Sequence, residues 1–387
     1  MTPARPRLLF LAPRYPQPPE RGDQRRVLHL LEGLAAHAEV TLVSFATDRH
    51  ATLAGMRVRT VFKAPLDTAL ANVRLGDPRL PLQARLLLSR RFRRVVDEEL
   101  ARSPAVVHVT LSRLGPYLPP PGPWHRHVDL IDSLAQNMRT RARASRGPAR
   151  WPFALEAQLL DRYEAALVAR ADSSSVVSEN DRRLGPGLQQ AAVIPNGVDT
   201  DAFGFSLPDA RPPTLLFFGN LGYFHNVEPA RFVALEVLPL VRARLPAASL
   251  RIAGARPTAG VRALSAAPGV EVVGPVAHMA DELHGASVAV VPMFSGSGIK
   301  NKVLESFSTG TPVVTNAAGI MGVQGSVADR HHLEGETAEE LADACVTLLQ
   351  DAGLRAQLAR EGRRLVEDSY SWERQVRALI GLYGTRL

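Results

Sequence analysis

Cysteine is almost absent: Cys345 is the single thiol in 387 residues. One cysteine excludes an internal disulfide and fits a reducing compartment. No apolar run reaches membrane-spanning length, and the RLLFLA stretch at residues 7–12 is too short for a signal peptide. The expectation is a soluble, cytoplasmic chain. No tandem repeat of 20–50 residues is evident. No recognised nucleic-acid motif accompanies the net charge of +8, so nucleic acid is not an expected partner. Apolar residues are not scarce. They make up 45%, which excludes bulk disorder, and the length suits two ordinary domains.

The charge is unevenly spread. Residues 1–205 carry 29 Arg+Lys against 20 Asp+Glu, whereas residues 206–387 carry 17 against 18. The basic part is nearly all arginine, clustered at Arg90–Arg94 and Arg139–Arg150. Two readings stay open here. One is contact with phosphates, as on an anionic membrane face or a lipid diphosphate; the other is an arginine-rich set of solvated helix faces.

Along the chain, RLLFLA, EVTLVSFA, RVRTVFKA, PAVVHVT and RHVDLID read as strands. They alternate with helical patterns in VLHLLEGLAAH, LQARLLLSRRFRRVVDEEL and Phe153–Arg170. SSVVS is a short strand, with Ser178 placed to cap the next turn. PDARPP, at residues 208–213, has the composition of a linker. After it the alternation restarts. TLLFFGN, SLRIAG, VEVVG, VAVVP and PVVTN are strands, and Glu336–Gln350, Leu354–Asp368 and SWERQVRALIGLY are helices. The βα alternation predicts α/β domains with parallel sheets covered on both faces. Ligands of such sheets favour the C-terminal ends of the strands.

The most informative stretch is SGSGIKNKVLESFSTGTPVV at residues 295–314. Strand, Gly-rich loop and helix together make a place for a phosphate. Unpaired N–H groups at a helix start carry partial positive charge, the glycines permit close approach, and Lys300 and Lys302 add full charges. The spacing is not that of a Walker loop. Read from this loop alone, an ordinary βα turn with exposed lysines remains an equal alternative.

Taken with VIPNGVDTDAF, the FFGNLGYFHN segment, VEVVGPV and Trp372, this stretch resembles glycosyltransferase family 4, of the retaining GT-B type. Within that family the GIKNKVLE run and the YPQPPERGDQRR loop are most similar to sugar transferases of PEP-CTERM/exosortase exopolysaccharide systems. The resemblance implies two Rossmann-like domains facing across a cleft. Their expected bounds are 1–207 on the acceptor side and 208–368 for the nucleotide sugar, with 369–387 a helix packing back on the first domain. It implies a retaining, metal-independent hexosyltransferase that needs no cofactor and uses a nucleoside-diphosphate sugar as donor. The acceptor would be a glycan, or a glycan linked to polyprenyl diphosphate, with peripheral association at the inner membrane.

The resemblance also assigns residues. Glu305 matches the carboxylate that accepts from the ribose hydroxyls, which suits an acceptor-only group. Lys300 and Lys302 match cations that stabilise the leaving diphosphate. Donor or nucleotide contacts fall on Gly22, Gly219, Asn220, Gly274, Pro275, Gly296, Ser297, Gly298, Ile299, Asn301, Val303, Leu304 and Glu305. Asp23, Arg26 and His108 are acceptor-side candidates, His108 also reading as a core histidine. Many family members have a histidine after the strand RHVDLID. By that alignment the position falls on Asp132, or alternatively Asp129. Asp132 could shield a developing oxocarbenium charge or take the acceptor proton, together with Lys300 and Lys302 as the catalytic set. It could equally cap the helix that follows.

Two departures stand out. Ser297 replaces a frequent glutamate, and the Gly219–Asn226 loop carries no cation, which shifts the phosphate charge onto Lys300 and Lys302. Asp199-Thr200-Asp201 reads as part of a turn, and His331-His332 lacks zinc-ligand spacing, so no metal is assigned. Two rivals share the fold: a nucleotide-sugar 2-epimerase, and a non-catalytic glycan- or nucleotide-binding protein.

Overall fold

The computed structural model describes residues 5–19, 21–46, 51–75, 80–145, 147–207, 212–294 and 299–387. The chain divides into two compact units, Met1–Asn196 with Trp372–Leu387, and Gly197–Ser371.

The first unit is built on a parallel sheet. Its strands are β1 (Arg7–Ala12), β2 (Glu39–Phe45), β3 (Arg57–Val61), β4 (Val106–Thr110), β5 (His125–Asp129), β6 (Ser173–Val176) and β7 (Ala192–Val193). They lie in the order β3-β2-β1-β4-β5-β6-β7. β4 is buried along its whole length, as a central parallel strand covered on both faces must be. One face packs Leu9, Leu11, Phe92, Val107 and Tyr117; the other packs Phe10, Leu30, Leu34 and Leu42. The C-terminal helix Trp372–Tyr383 completes this second face through Val376, Leu379 and Tyr383. It lies so close to the Gly22–Ala35 helix that a Cβ on Gly33 would meet Val376 at 2.5 Å. Trp372 stacks on His29 with ring centroids 4.8 Å apart.

The second unit repeats the plan with β8 (Thr214–Phe218), β9 (Ser249–Ala253), β10 (Val270–Gly274), β11 (Val288–Val291), β12 (Val313–Thr315) and β13 (Leu333–Glu334). The order is β10-β9-β8-β11-β12-β13, all parallel. The order reverses between β1 and β4 in one sheet and between β8 and β11 in the other. Such switch points leave room for a ligand beyond the strand ends.

Three expectations need correction. The single helix read over residues 82–100 is two, Leu82–Arg85 and Arg90–Leu100, because Ser89 caps the second by accepting from Phe92 N–H. The segment VEPARFVALEVLPLVRARLP, which reads in sequence as one helix, is interrupted by a π turn at Val233–Val237, just ahead of Pro239, which has no N–H to continue the ladder. The break between units lies at residue 196, ahead of the linker composition. Residues 197–207 go with the second unit: Ser206 N–H donates to Thr309 C=O (3.1 Å) and Ser308 Oγ to Phe203 C=O (2.7 Å). Residues 208–211 of the expected linker lie outside the described residues.

Candidate active site

The second unit's site begins at the end of β8. Gly219 has φ +142°, and Gly254, at the end of β9, has φ +145°. A Cβ on Gly254 would lie 1.7 Å from the Gly219 carbonyl oxygen, so only glycine lets these two strand ends meet. Gly254 N–H donates to Gly274 C=O at 2.7 Å, tying the end of β10 into the same corner. Gly274 is buried with φ +79°, and Pro275 beside it is exposed. Asn220 folds the following loop, its Oδ1 accepting from Gly222 N–H at 3.1 Å.

The Asn301–Thr309 helix stands beyond β11 and starts at Lys300 without a side-chain cap, so its first N–H groups keep their partial positive charge. It ends on Gly310 with φ +77°, a left-handed C-cap. Lys302, in the first turn, reaches back to the switch point. Its Nζ donates to Asn226 Oδ1 at 2.9 Å, lies 4.6 Å from the Phe217 ring centroid, and is 3.9 Å from Met293 Sδ. Asn226 Nδ2 in turn donates to Asn220 C=O at 2.9 Å. A Cβ on Gly219 would sit 3.4 Å from that Nζ, so this glycine makes room for the ammonium. Burial of the charged tip, although the residue as a whole is only half-buried, lowers its pKa to about 7; Glu305 opposes the shift and Lys300 adds to it.

The structure thus brings Gly219, Asn220, Lys300, Lys302 and Glu305 together. Glu305 is 8% exposed, one helical turn beyond Lys302. Val303, Leu304 and Ile299 belong instead to the apolar core with Phe218, Val291 and Phe307. These side chains hold the helix on the sheet, which leaves their backbone groups for the donor contacts expected of them. Gly296, Ser297 and Gly298 lie outside the described residues. Asn301 opens the helix.

In the first unit, Gly22 opens the Gly22–Ala35 helix, exposed and with nothing within 4 Å of a would-be Cβ. Asp23 accepts from Arg14 Nη1 at 2.7 Å. Arg26, expected to touch an acceptor, is corrected: it is fully buried. Its Nε donates to Asp129 Oδ2 (2.8 Å) and its Nη1 to Pro195 C=O (3.1 Å) and Asn196 Oδ1 (3.2 Å). Burial works against the Asp129 carboxylate, yet Arg26 holds its pKa below the ordinary value.

His108 is likewise a core residue rather than an acceptor contact. It stacks on Phe10 at 4.1 Å and bonds Tyr383 Oη through Nδ1 at 2.8 Å; burial lowers its pKa to about 4. Asp132 is half-buried and is not the helix cap. Ser133 takes that role, its Oγ accepting from Gln136 N–H at 3.3 Å. Asp199 closes a turn by accepting from Asp201 and Ala202 N–H groups.

Residues 212–351 match the family model described as "Glycosyl transferases group 1". Glycogen synthase of Mycobacterium tuberculosis is 27% identical over 259 residues, covering 61% of this chain and 57% of that protein. The chain therefore spans little more than half the length of the curated relatives it matches. Sucrose-phosphate synthase from Thermosynechococcus elongatus superposes with a TM-score of 0.72 at 20% identity, over 98% of each chain. Anabaena Alr3699/HepE, solved in complex with UDP and glucose, gives 0.69 at 14% identity, over 98% of this chain and 100% of that one. The fold is GT-B.

In this GT-B chain the residue that sequence reasoning missed is Asn226. The loop from Gly219 to Asn226 reads as lacking a cation, which is true of its own side chains. Asn226 instead orients a cation supplied from the helix 76 residues later. Two asparagines flanking a short Gly-containing loop were the available signal. Asn316 was missed too: its Oδ1 accepts from Met293 N–H and its Nδ2 donates to Met293 C=O, bracing the residue under Lys302. Among the described residues no helix is long and apolar enough to cross a membrane.

Proposed function

We propose that the protein is a retaining glycosyltransferase of family 4. It moves a sugar from a nucleoside-diphosphate sugar to a hydroxyl of a glycan acceptor, lipid-linked, in exopolysaccharide or related glycan synthesis. The observation that carries this reading is the ammonium of Lys302, braced by Asn226 at the β8/β11 switch point beside an uncapped helix start. A group 1 glycosyltransferase match over this same unit supports it.

The chemistry needs charge more than it needs a protein base. As the glycosidic bond to phosphate lengthens, negative charge builds on the diphosphate. Lys302, Lys300 and the helix N–H groups would meet that charge, and one such group is typically worth about 3 kcal/mol in a closed site. Glu305 accepts from the ribose hydroxyls and sets the donor's register. The departing phosphate takes the acceptor proton on the face it leaves, which gives retention. Asp132, next to the capping Ser133 at the end of β5, would shield the oxocarbenium-like sugar. This route uses no metal and no cofactor.

The test is a thermal-shift screen of UDP-, GDP- and ADP-sugars followed by calorimetry on Lys302→Gln. A stabilising donor whose affinity falls at least about tenfold in the variant supports the reading. An unchanged affinity removes Lys302 from the diphosphate. Incubation with donor alone, giving an epimer without acceptor, would point to an epimerase instead.

A further inference from the structure

We propose that Glu164 is a positioning residue: it ties the chain leaving β4 to the chain leaving β5 and so fixes the place of Asp132. The tie stands on the geometry below; that Asp132 acts on the sugar rests on the transferase reading.

Both strand exits are strained in the same way. Leu111, directly after β4, has φ +64°, and Ile131, just beyond β5, has φ +60°. A left-handed backbone is costly for a bulky side chain, most of all a β-branched one, and persists only where the surroundings over-determine it. Here the two residues share a small buried cluster with Val177. Leu111 N–H donates to Asp129 C=O at 2.7 Å, and Ile131 N–H donates to Asp129 Oδ1 at 3.1 Å. The two exits thus meet at the last residue of β5. Asp132 and Ser133 follow Ile131 at once.

Glu164 closes the arrangement. It stands on the helix Arg150–Arg170 and is 1% exposed. Its Oε1 accepts from Ser112 Oγ at 2.9 Å, on the β4 side, and from Leu134 N–H at 3.0 Å, on the β5 side. Its Oε2 accepts from Ser133 Oγ at 2.9 Å. Tyr163, the preceding residue, adds a bond from its Oη to Ser112 C=O at 3.0 Å. Asp132 therefore sits between a strained residue and two residues bonded to one carboxylate. An ionised carboxyl suits this duty because it only accepts, and its two oxygens serve several donors at once. Burying it among hydroxyls and a backbone N–H is a poor route to stability. What it gains is a fixed relation between two loops.

The experiment takes the full chain with Glu164→Gln, Ser112→Ala or Asp132→Asn, and each of the first two combined with the third. It measures hydrolysis of UDP-glucose, or of GDP-mannose, with water standing for the acceptor and nucleotide release as the signal. Amide exchange is followed on the same proteins. Gln keeps the size of the side chain but has one acceptor oxygen in place of two, so it gives up one side of the tie. Glu164→Gln should lower kcat at least about tenfold and leave the donor KM within about twofold. Ser112→Ala leaves Ser133 and Leu134 held and keeps the fold. It should lower kcat about three- to tenfold although it sits on the other strand exit. Neither change should slow Asp132→Asn further, because both act through Asp132. Exchange at residues 111–113 and 131–135 should rise in Glu164→Gln while β4 and β5 stay protected. Unchanged exchange at both exits overturns the tie. A Glu164→Gln kcat equal to wild type, or effects that multiply with that of Asp132→Asn, overturn the positioning role. If Asp132→Asn matches wild type, or wild type releases no nucleotide, the transferase reading of Asp132 fails, and exchange alone then decides the tie.

Discussion

The ammonium of Lys302 lies 2.9 Å from the carboxamide oxygen of Asn226, at the point where the second sheet reverses its strand order. A neutral amide is the partner, not a carboxylate. The cation is therefore oriented without being paired to a carboxylate by Asn226, which leaves it open to an anion.

Asn226→Ala should free the lysine to swing and lower donor or pyrophosphate affinity about tenfold, with little loss of stability. Asn226→Asp should lower it further, because the new carboxylate competes with phosphate for the same ammonium. Calorimetry on both variants checks this order; equal affinities in the two would contradict it.

Lys302 also makes stability depend on pH. Its folded pKa near 7 lies below the ordinary 10.5, so the folded chain binds fewer protons between those values. Its burden on stability is full below pH 7 and fades as pH rises toward 10.5. Lys302→Met should be more stable than wild type at pH 6.5, by about 2–4 kcal/mol after allowing for the half-exposed side chain, with the gap closing by pH 10. Urea titrations across that range provide the measurement.

Glu164 behaves in the opposite sense. Burial raises its pKa to about 7 from an ordinary 4.5. The folded chain therefore holds a proton that the unfolded chain releases, so its contribution is whole below pH 4.5 and is lost as pH rises through 7. Glu164→Gln should remove about 3 kcal/mol of pH-dependent stability across this window. Melting curves at pH 5 and pH 8 would then differ less in the variant than in wild type.

Arg26 and Asp129 should matter for folding and not for acceptor affinity. Both are fully buried, and removing one leaves the other charge unpaired. Arg26→Met should cost about 3–5 kcal/mol. A variant that kept its unfolding midpoint but lost acceptor affinity would return Arg26 to the acceptor side.

Gly254→Ala should be the most damaging single methyl in the second unit. The added carbon would sit 1.7 Å from a carbonyl oxygen at a φ of +145°. Loss of more than about 3 kcal/mol, or failure to accumulate as folded protein, is the expected outcome in a stability assay.

The sequence by itself determined the architecture. Buried runs such as TLLFF and VVHVT, spaced by amphipathic helices, admit parallel sheets covered on both faces and little else. It also made a candidate phosphate loop legible, because Gly, Lys and helix start are local features read over a dozen residues. Tertiary structure decided the partners. Asn226 meets Lys302 across 76 residues and Arg26 meets Asp129 across 103, distances over which no periodicity in the chain carries information. It also decided which charged residues are buried in ion pairs. Arg25 and Arg26 are the same chemistry side by side; Arg25 is exposed and Arg26 is buried against Asp129, and only tertiary packing distinguishes them.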